Sequence, residues 1–129
     1  MKSYRDLDIY NQAFLLAVKV HKMSLKLPKY ELYEQGSQIR RSSKSIKDNI
    51  IEGYGRKRYK QDFIKFLTYA QSSCDETLGH LQMISETHEL EFSLEELVSQ
   101  YELLGKKIYS FIQYVESNWN APKLEPRNL

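Results

Sequence analysis

Apolar residues recur along this chain at alternating spacings of four and three, the beat of α-helices with one buried face. Ile9, Ala13, Leu16, Val20, Met23 and Leu27 set a first stripe, and Pro28 stops it. Residues 29–36 form a connection whose tyrosines, Tyr30 and Tyr33, are expected to fold back onto the core. A second stripe reads Ile39, Ser43, Ile46 and Ile50 and closes at Gly53 and Gly55, residues suited to a helix C-terminus. Phe63, Leu67, Ala70, Cys74, Thr77, Leu81 and Ile84 carry the beat through the longest segment. The last stripe is Leu94, Leu97, Tyr101, Leu104, Ile108, Phe111 and Val115. Ser93 and Glu96 before it have capping-box spacing, and Phe92 with Leu97 can staple its first turn.

The pattern predicts helices over about residues 7–27, 36–54, 59–88 and 93–118. Short connections set successive helices antiparallel, so the expected fold is all-α, an up-down-up-down four-helix bundle over residues 1–120. Residues 121–129 hold two prolines and no periodicity and are expected to be a flexible tail. Some apolar residues lie off the stripes: Phe14, Val18 and Leu25 in the first segment, Val98, Leu103, Ile112 and Trp119 in the fourth. Such wide apolar arcs suit burial against another subunit, or the broad stripe of a globular bundle.

Composition narrows the class. At 129 residues, 41% hydrophobic and 28% charged, the chain has the make-up of one globular domain that needs no metal or disulfide for its core. A single cysteine, Cys74, suits a reducing compartment. No apolar run is long enough to span a membrane, and the first residues lack a secretory apolar segment, so a cytoplasmic protein is expected. Charge is divided: residues 1–60 hold 14 basic and 6 acidic groups, and residues 61–129 hold 5 and 11. That division fits a polyanion site, a head-to-tail charge match between subunits, or a solvated surface.

Tests for catalytic chemistry come back negative. Di-iron bundles need Glu-x-x-His pairs, but Val18, Thr77 and Ser85 stand three before His21, His80 and His88. Glu76 and His80 are four apart and read as a surface hydrogen bond. Gly53-Tyr54-Gly55 lacks the third glycine and preceding strand of a phosphate loop, and reads as a helix end and turn. Cys74 sits on an apolar stripe as a small core residue. No metal, cofactor or enzymatic activity is expected.

The sharpest local feature is the basic stretch from Gln38 to Lys60. Arg40, Lys44 and Lys47 share one helical face beside the second stripe, with Arg41 further round. Arg56, Lys57, Arg58 and Lys60 cluster at the following turn, interleaved with Tyr54 and Tyr59. Such groups bind phosphate backbones, and tyrosines stack on unpaired bases; a solvated basic face is the alternative. Asn49 flanks the apolar stripe and is expected to hydrogen-bond a neighbouring helix or terminus.

Gln38-Ile39-Arg40-Arg41, Ser45-Ile46 and above all Asn49-Ile50-Ile51-Glu52-Gly53 resemble the signature of the 23S rRNA intervening-sequence (S23) proteins. The resemblance extends through Leu7, Leu27-Pro28, Phe63 to Leu67 and Ala70-Gln71-Ser72-Ser73, over roughly residues 4–118, and departs from the pattern at Ile51 and Arg58. It implies a small bacterial four-helix bundle without established catalytic activity, assembled as a homopentamer with basic surfaces. A related branch includes the accessory variability determinant of diversity-generating retroelements, which binds nucleic acid and a reverse transcriptase. Asn49, Glu52 and Gly53 are the structural signature, and Arg40 and Arg41 its basic positions. The expected function is binding of structured RNA or other nucleic acid, or service as a scaffold for a protein partner such as a reverse transcriptase.

Overall fold

The computed structural model describes residues 2–120, which form four α-helices and no strand. These are α1 (Asp8–Ser24), α2 (Gln35–Gly55), α3 (Lys60–Thr87) and α4 (Glu95–Asn118). Short 3-10 turns, Tyr4–Asp6 and Lys29–Tyr33, precede α1 and α2. The tail expected over 121–129 lies outside the described residues. The helices pack in a ring: α1 on α2, α2 on α3, α3 on α4, and α4 back on α1. Register runs in opposite senses along neighbours. Ser42 meets Thr77 where Ser45 meets Ser73, and Asp8 meets Lys107 where Lys19 meets Gln100.

Every residue of the first three stripes is buried. In α4, Leu97 and Phe111 are half-buried and Ile112 joins the core. Trp119, an off-stripe residue that suggested a subunit contact, is used within the chain. Its indole N–H donates to the Lys57 carbonyl at 3.1 Å, and its ring lies edge-on to Phe63 at 5.2 Å. The end of α4 thereby braces the α2–α3 turn.

Four local details differ from the sequence reading. Tyr30 and Tyr33 are 68% and 84% exposed, because residues three apart eclipse one another in a 3-10 turn and both face outward. Glu31 between them turns inward, its carboxylate 2.5 Å from His88 Nε2 in a nearly buried pair that ties the two connections at this end together. Helix α1 ends at Ser24, a turn before Pro28, as the N–H groups of Lys26 and Leu27 bond back to Met23 and Ser24. The capping box at Ser93 and Glu96 does not form. Ser93 Oγ accepts from the Glu95 N–H at 3.1 Å and Leu94 holds the N-cap position. A capping box forms instead at Ser3 and Asp6, where the N–H groups of Lys2 and Ser3 hold the Asp6 carboxyl below its ordinary pKa.

Gly36 and Gly53 act by space. No described residue has positive φ, so Gly53 and Gly55 do not end α2 in a left-handed turn. A Cβ on Gly53 would stand 3.1 Å from Phe66 Cβ and 3.3 Å from the Phe63 carbonyl, so glycine here lets α2 run close to α3. A Cβ on Gly36 would fall 2.6 Å from the Glu31 carbonyl oxygen and 3.0 Å from the Arg40 guanidinium. Gly36→Ala is therefore expected to destabilise the fold by about 1–3 kcal/mol in urea unfolding, because backbone must move. Tyr101→Phe should act in the opposite direction. The Tyr101 hydroxyl is buried without a hydrogen-bond partner among the described residues, so removing it is expected to raise the free energy of unfolding by about 1 kcal/mol.

Candidate nucleic-acid interface

Helix α2 is fastened to α3 by a seam of hydroxyls. The Ser42 and Thr77 hydroxyls meet at 2.8 Å, and each also reaches a carbonyl of its own helix, Ser42 that of Ile39 at 3.3 Å and Thr77 that of Ser73 at 2.8 Å. Asn49 does not reach across to another helix. Its amide donates back to the carbonyl and hydroxyl oxygens of Ser45, at 2.9 and 3.0 Å, and Ser45 meets Ser73 at 2.9 Å. Asn49 thus orients the hydroxyl that crosses the seam. With Ser42, Ser45, Asn49 and Gly53 turned toward α3 and Ile39, Ile46 and Ile50 toward the core, the remaining arc of α2 faces α1 and solvent.

That arc carries the sequence-nominated cations, and the structure divides them. Arg40 is half-buried and internal: its guanidinium donates to Ser24 Oγ at 2.9 Å and the Leu32 carbonyl at 2.6 Å, clamping the α1–α2 connection. Arg41 and Lys44 are exposed and have no ion-pair partner among the described residues. Lys47 is half-buried and pairs with Asp48.

The turn after α2 is divided in the same way. Arg56 donates to Glu52 from Nε at 3.2 Å and Nη2 at 3.0 Å, stands 3.7 Å from Asp62, and lies over the Phe66 ring at 4.9 Å. Two carboxylates therefore neutralise it. The Lys57 ammonium sits 3.9 Å from the centre of the Tyr54 ring, and its carbonyl accepts from Trp119. Tyr54 is buried, so Tyr59 is the exposed tyrosine of this turn. Arg58 is exposed and Lys60 half-buried; neither has an ion-pair partner among the described residues. Of the signature residues, Asn49 and Gly53 build the seam and Glu52 holds Arg56.

One neighbour of the basic face was not evident in the sequence. Lys44 and Lys47 line a groove of about 340 Å³ together with Phe14, Ala17, Val18, His21 and Lys22 of α1. The residues were visible in the stripe pattern. Their juxtaposition depends on which side of α1 meets α2, and no local spacing encodes that.

Among the described residues no three His, Cys, Asp or Glu side chains group to hold a metal ion. His80 shares a hydrogen bond with Gln35 at 3.2 Å and lies 4.0 Å from Glu76. No described helix is long and apolar enough to cross a membrane. Cys74 donates to the Tyr101 carbonyl at 3.3 Å, and burial, with a smaller effect from Asp75, pushes its thiol pKa up to about 12. At pH 8 it is therefore expected to react with a disulfide reagent at least about 100-fold more slowly folded than in denaturant. Comparable rates in both states would mean that the core around Cys74 opens.

The sequence profile described as 23S rRNA-intervening sequence protein matches residues 5–110. Among solved structures, the chain is similar to a protein of unknown function from the S23 ribosomal protein family of Bacteroides thetaiotaomicron VPI-5482. The TM-score is 0.73 at 23% identity, over 81% of this chain and 95% of the other. That likeness supports the fold. No curated protein matches the chain.

Proposed function

The chain belongs to the 23S rRNA-intervening sequence protein family, and from that premise we propose that it acts without catalysis, binding structured RNA through exposed cations of α2 and the α2–α3 turn. One observation carries the reading. Arg41, Lys44, Arg58 and Lys60 remain without ion-pair partners among the described residues, while the fold occupies Arg40 and Arg56. Unpaired cations displace counterions from a phosphate backbone, whereas those already paired with carboxylates gain little. A helical surface offers no sheet on which to lay bases, so recognition rests on backbone and shape, with Tyr59 available to stack on an unpaired base. We take the working unit to be an assembly of copies, in which modest contacts add through effective concentration. The same cations serve the alternative of an accessory subunit beside a nucleic-acid enzyme such as a reverse transcriptase. That reading is favoured by the apolar floor beside Lys44 and Lys47, a surface suited to protein.

The test uses charge reversal. Arg41→Glu with Lys44→Glu, and separately Arg58→Glu with Lys60→Glu, are each expected to weaken binding of a fluorescent hairpin RNA at least tenfold. Circular dichroism should stay unchanged, because these groups hold nothing else in the fold. Arg56→Gln should cost far less affinity. Unchanged affinity in both reversed pairs would remove the nucleic-acid reading and leave the accessory-subunit one.

A further inference from the structure

The connection from α3 to α4 is crowded with charge of one sign. Glu86, Glu89, Glu91, Glu95 and Glu96 fall within eleven residues that hold no lysine or arginine. All five are exposed and without an ion-pair partner among the described residues. Glu95 and Glu96 have a use in the first turn of α4, where the helix dipole favours carboxylates. Glu86 stands in the last turn of α3, where the same dipole opposes it, and Glu89 and Glu91 belong to no helix. The fold of the single chain gains nothing from these three.

The carboxylates border a cleft. It holds about 610 Å³ between Leu90 and Phe92 of the connection, Val98 and Ser99 of α4 and the His88 ring, with Glu95 beside them. Leu90, Phe92 and Val98 are half-buried and give it an apolar lining. The backbone groups of residues 89–92 make no hydrogen bond among the described residues. The His88 side chain is only 8% exposed. A carboxylate can only accept, so its Nε2 donates to Glu31, and the Nδ1 lone pair of the neutral ring has no partner among the described residues. Ser85, also in the lining, spends its proton on the Gln82 carbonyl at 2.8 Å. The cleft thus sets acceptors and negative charge beside apolar surface, and a ligand that fits brings N–H donors, positive charge and apolar groups.

A smaller cleft of about 280 Å³ shows such a pairing within the chain. It shares His88, Leu90 and Phe92, and Lys26 borders it together with Glu89 and Glu91. The Lys26 ammonium stands 5.5 Å from the centre of the Phe92 ring. The larger cleft has no lysine or arginine in its lining.

We propose that the larger cleft docks a short basic segment of a partner protein, in which arginines alternate with apolar side chains. The apolar side chains lie against Leu90, Phe92 and Val98, and the arginines meet Glu89, Glu91 and Glu95. A guanidinium suits the site because its planar fork can serve a carboxylate and a ring nitrogen together. An extended segment also gives the unpaired backbone of residues 89–92 a partner. The proposal stands apart from the nucleic-acid reading, whose cations belong to α2 and the α2–α3 turn.

The test is fluorescence anisotropy of a fluorescein-labelled nine-residue peptide of alternating arginine and leucine, titrated with the full chain. Saturable binding is expected, and none for the same peptide with glutamate in place of arginine. Glu89→Gln with Glu95→Gln should weaken binding at least about tenfold. Glu102→Gln with Glu116→Gln makes the same change of net charge on exposed positions of α4 outside the cleft and should leave binding unchanged. Ser99→Trp fills the cleft without altering charge, at an exposed position that keeps the helix, and should weaken binding as much as the first pair. Circular dichroism checks that each variant is folded. A folded wild-type chain that ignores the arginine peptide would overturn the proposal. Equal loss in the two glutamine pairs, or indifference to Ser99→Trp, would overturn it as well, because binding would then reflect bulk charge and no cleft. Displacement of the peptide by calcium chloride, but not by sodium chloride of equal ionic strength, would give the carboxylates to a divalent cation instead. Hairpin RNA binding should be the same for wild type and Ser99→Trp, so this proposal and the nucleic-acid reading fail separately.

Discussion

The close seam between α2 and α3 governs the rest of this molecule. Ser42 and Ser45 bond across it to Thr77 and Ser73, Asn49 aims the Ser45 hydroxyl, and Gly53 lets Phe63 and Phe66 approach the α2 backbone. Buried hydroxyls that satisfy one another fix a register, since any slip would leave donors and acceptors unpaired in an apolar surrounding. Apolar packing alone tolerates rotation by a fraction of a turn; this seam does not. Once α2 is held in rotation against α3, Ile39, Ile46 and Ile50 point to the core and Arg41 and Lys44 point to solvent.

The same constraint decides which cations are available. Arg40 lies on the side of α2 that meets α1, where the connecting turn supplies a carbonyl and Ser24 a hydroxyl, so its guanidinium becomes structural. Arg56 falls one turn after Glu52 and next to Asp62, so its charge is balanced. Trp119 locks the turn through the Lys57 carbonyl and packs on Phe63, which also contacts Tyr54 and Phe111. Arg58 and Lys60 are thereby displayed from a braced turn, and Arg41 and Lys44 from the first half of α2, which lowers the ordering cost of binding.

Much of the fold was legible in the sequence because burial in a helix has a period. The three stripes anchored on Ile9, Ile39 and Phe63 are buried throughout, and the helix bounds fall within a few residues of those expected. What was not legible depended on geometry between segments. Ser93 and Glu96 had the right spacing for a capping box, but the helix starts two residues beyond Ser93. Tyr30 and Tyr33 are expected from the sequence to fold back onto the core, whereas the three-residue repeat of a 3-10 turn carries both outward and buries Glu31 against His88. Sequence spacing put Arg40, Lys44 and Lys47 on one face correctly. It could not show that one end of that face meets the α1–α2 connection, nor that the other lies beside Phe14, Val18 and Lys22. Gly36 carried no signal at all, since its role is a contact with a carbonyl five residues back that only the folded turn creates.

The central claim is that a small set of unpaired cations, displayed by the α2–α3 seam, meets a phosphate backbone. It is tested most directly by the slope of log K against log salt for wild-type protein and a structured RNA. Four phosphate contacts, from Arg41, Lys44, Arg58 and Lys60, lead to a slope of about −3 per chain. A slope near zero, with the bundle shown to be folded, would contradict the account, because binding would then owe nothing to these charges.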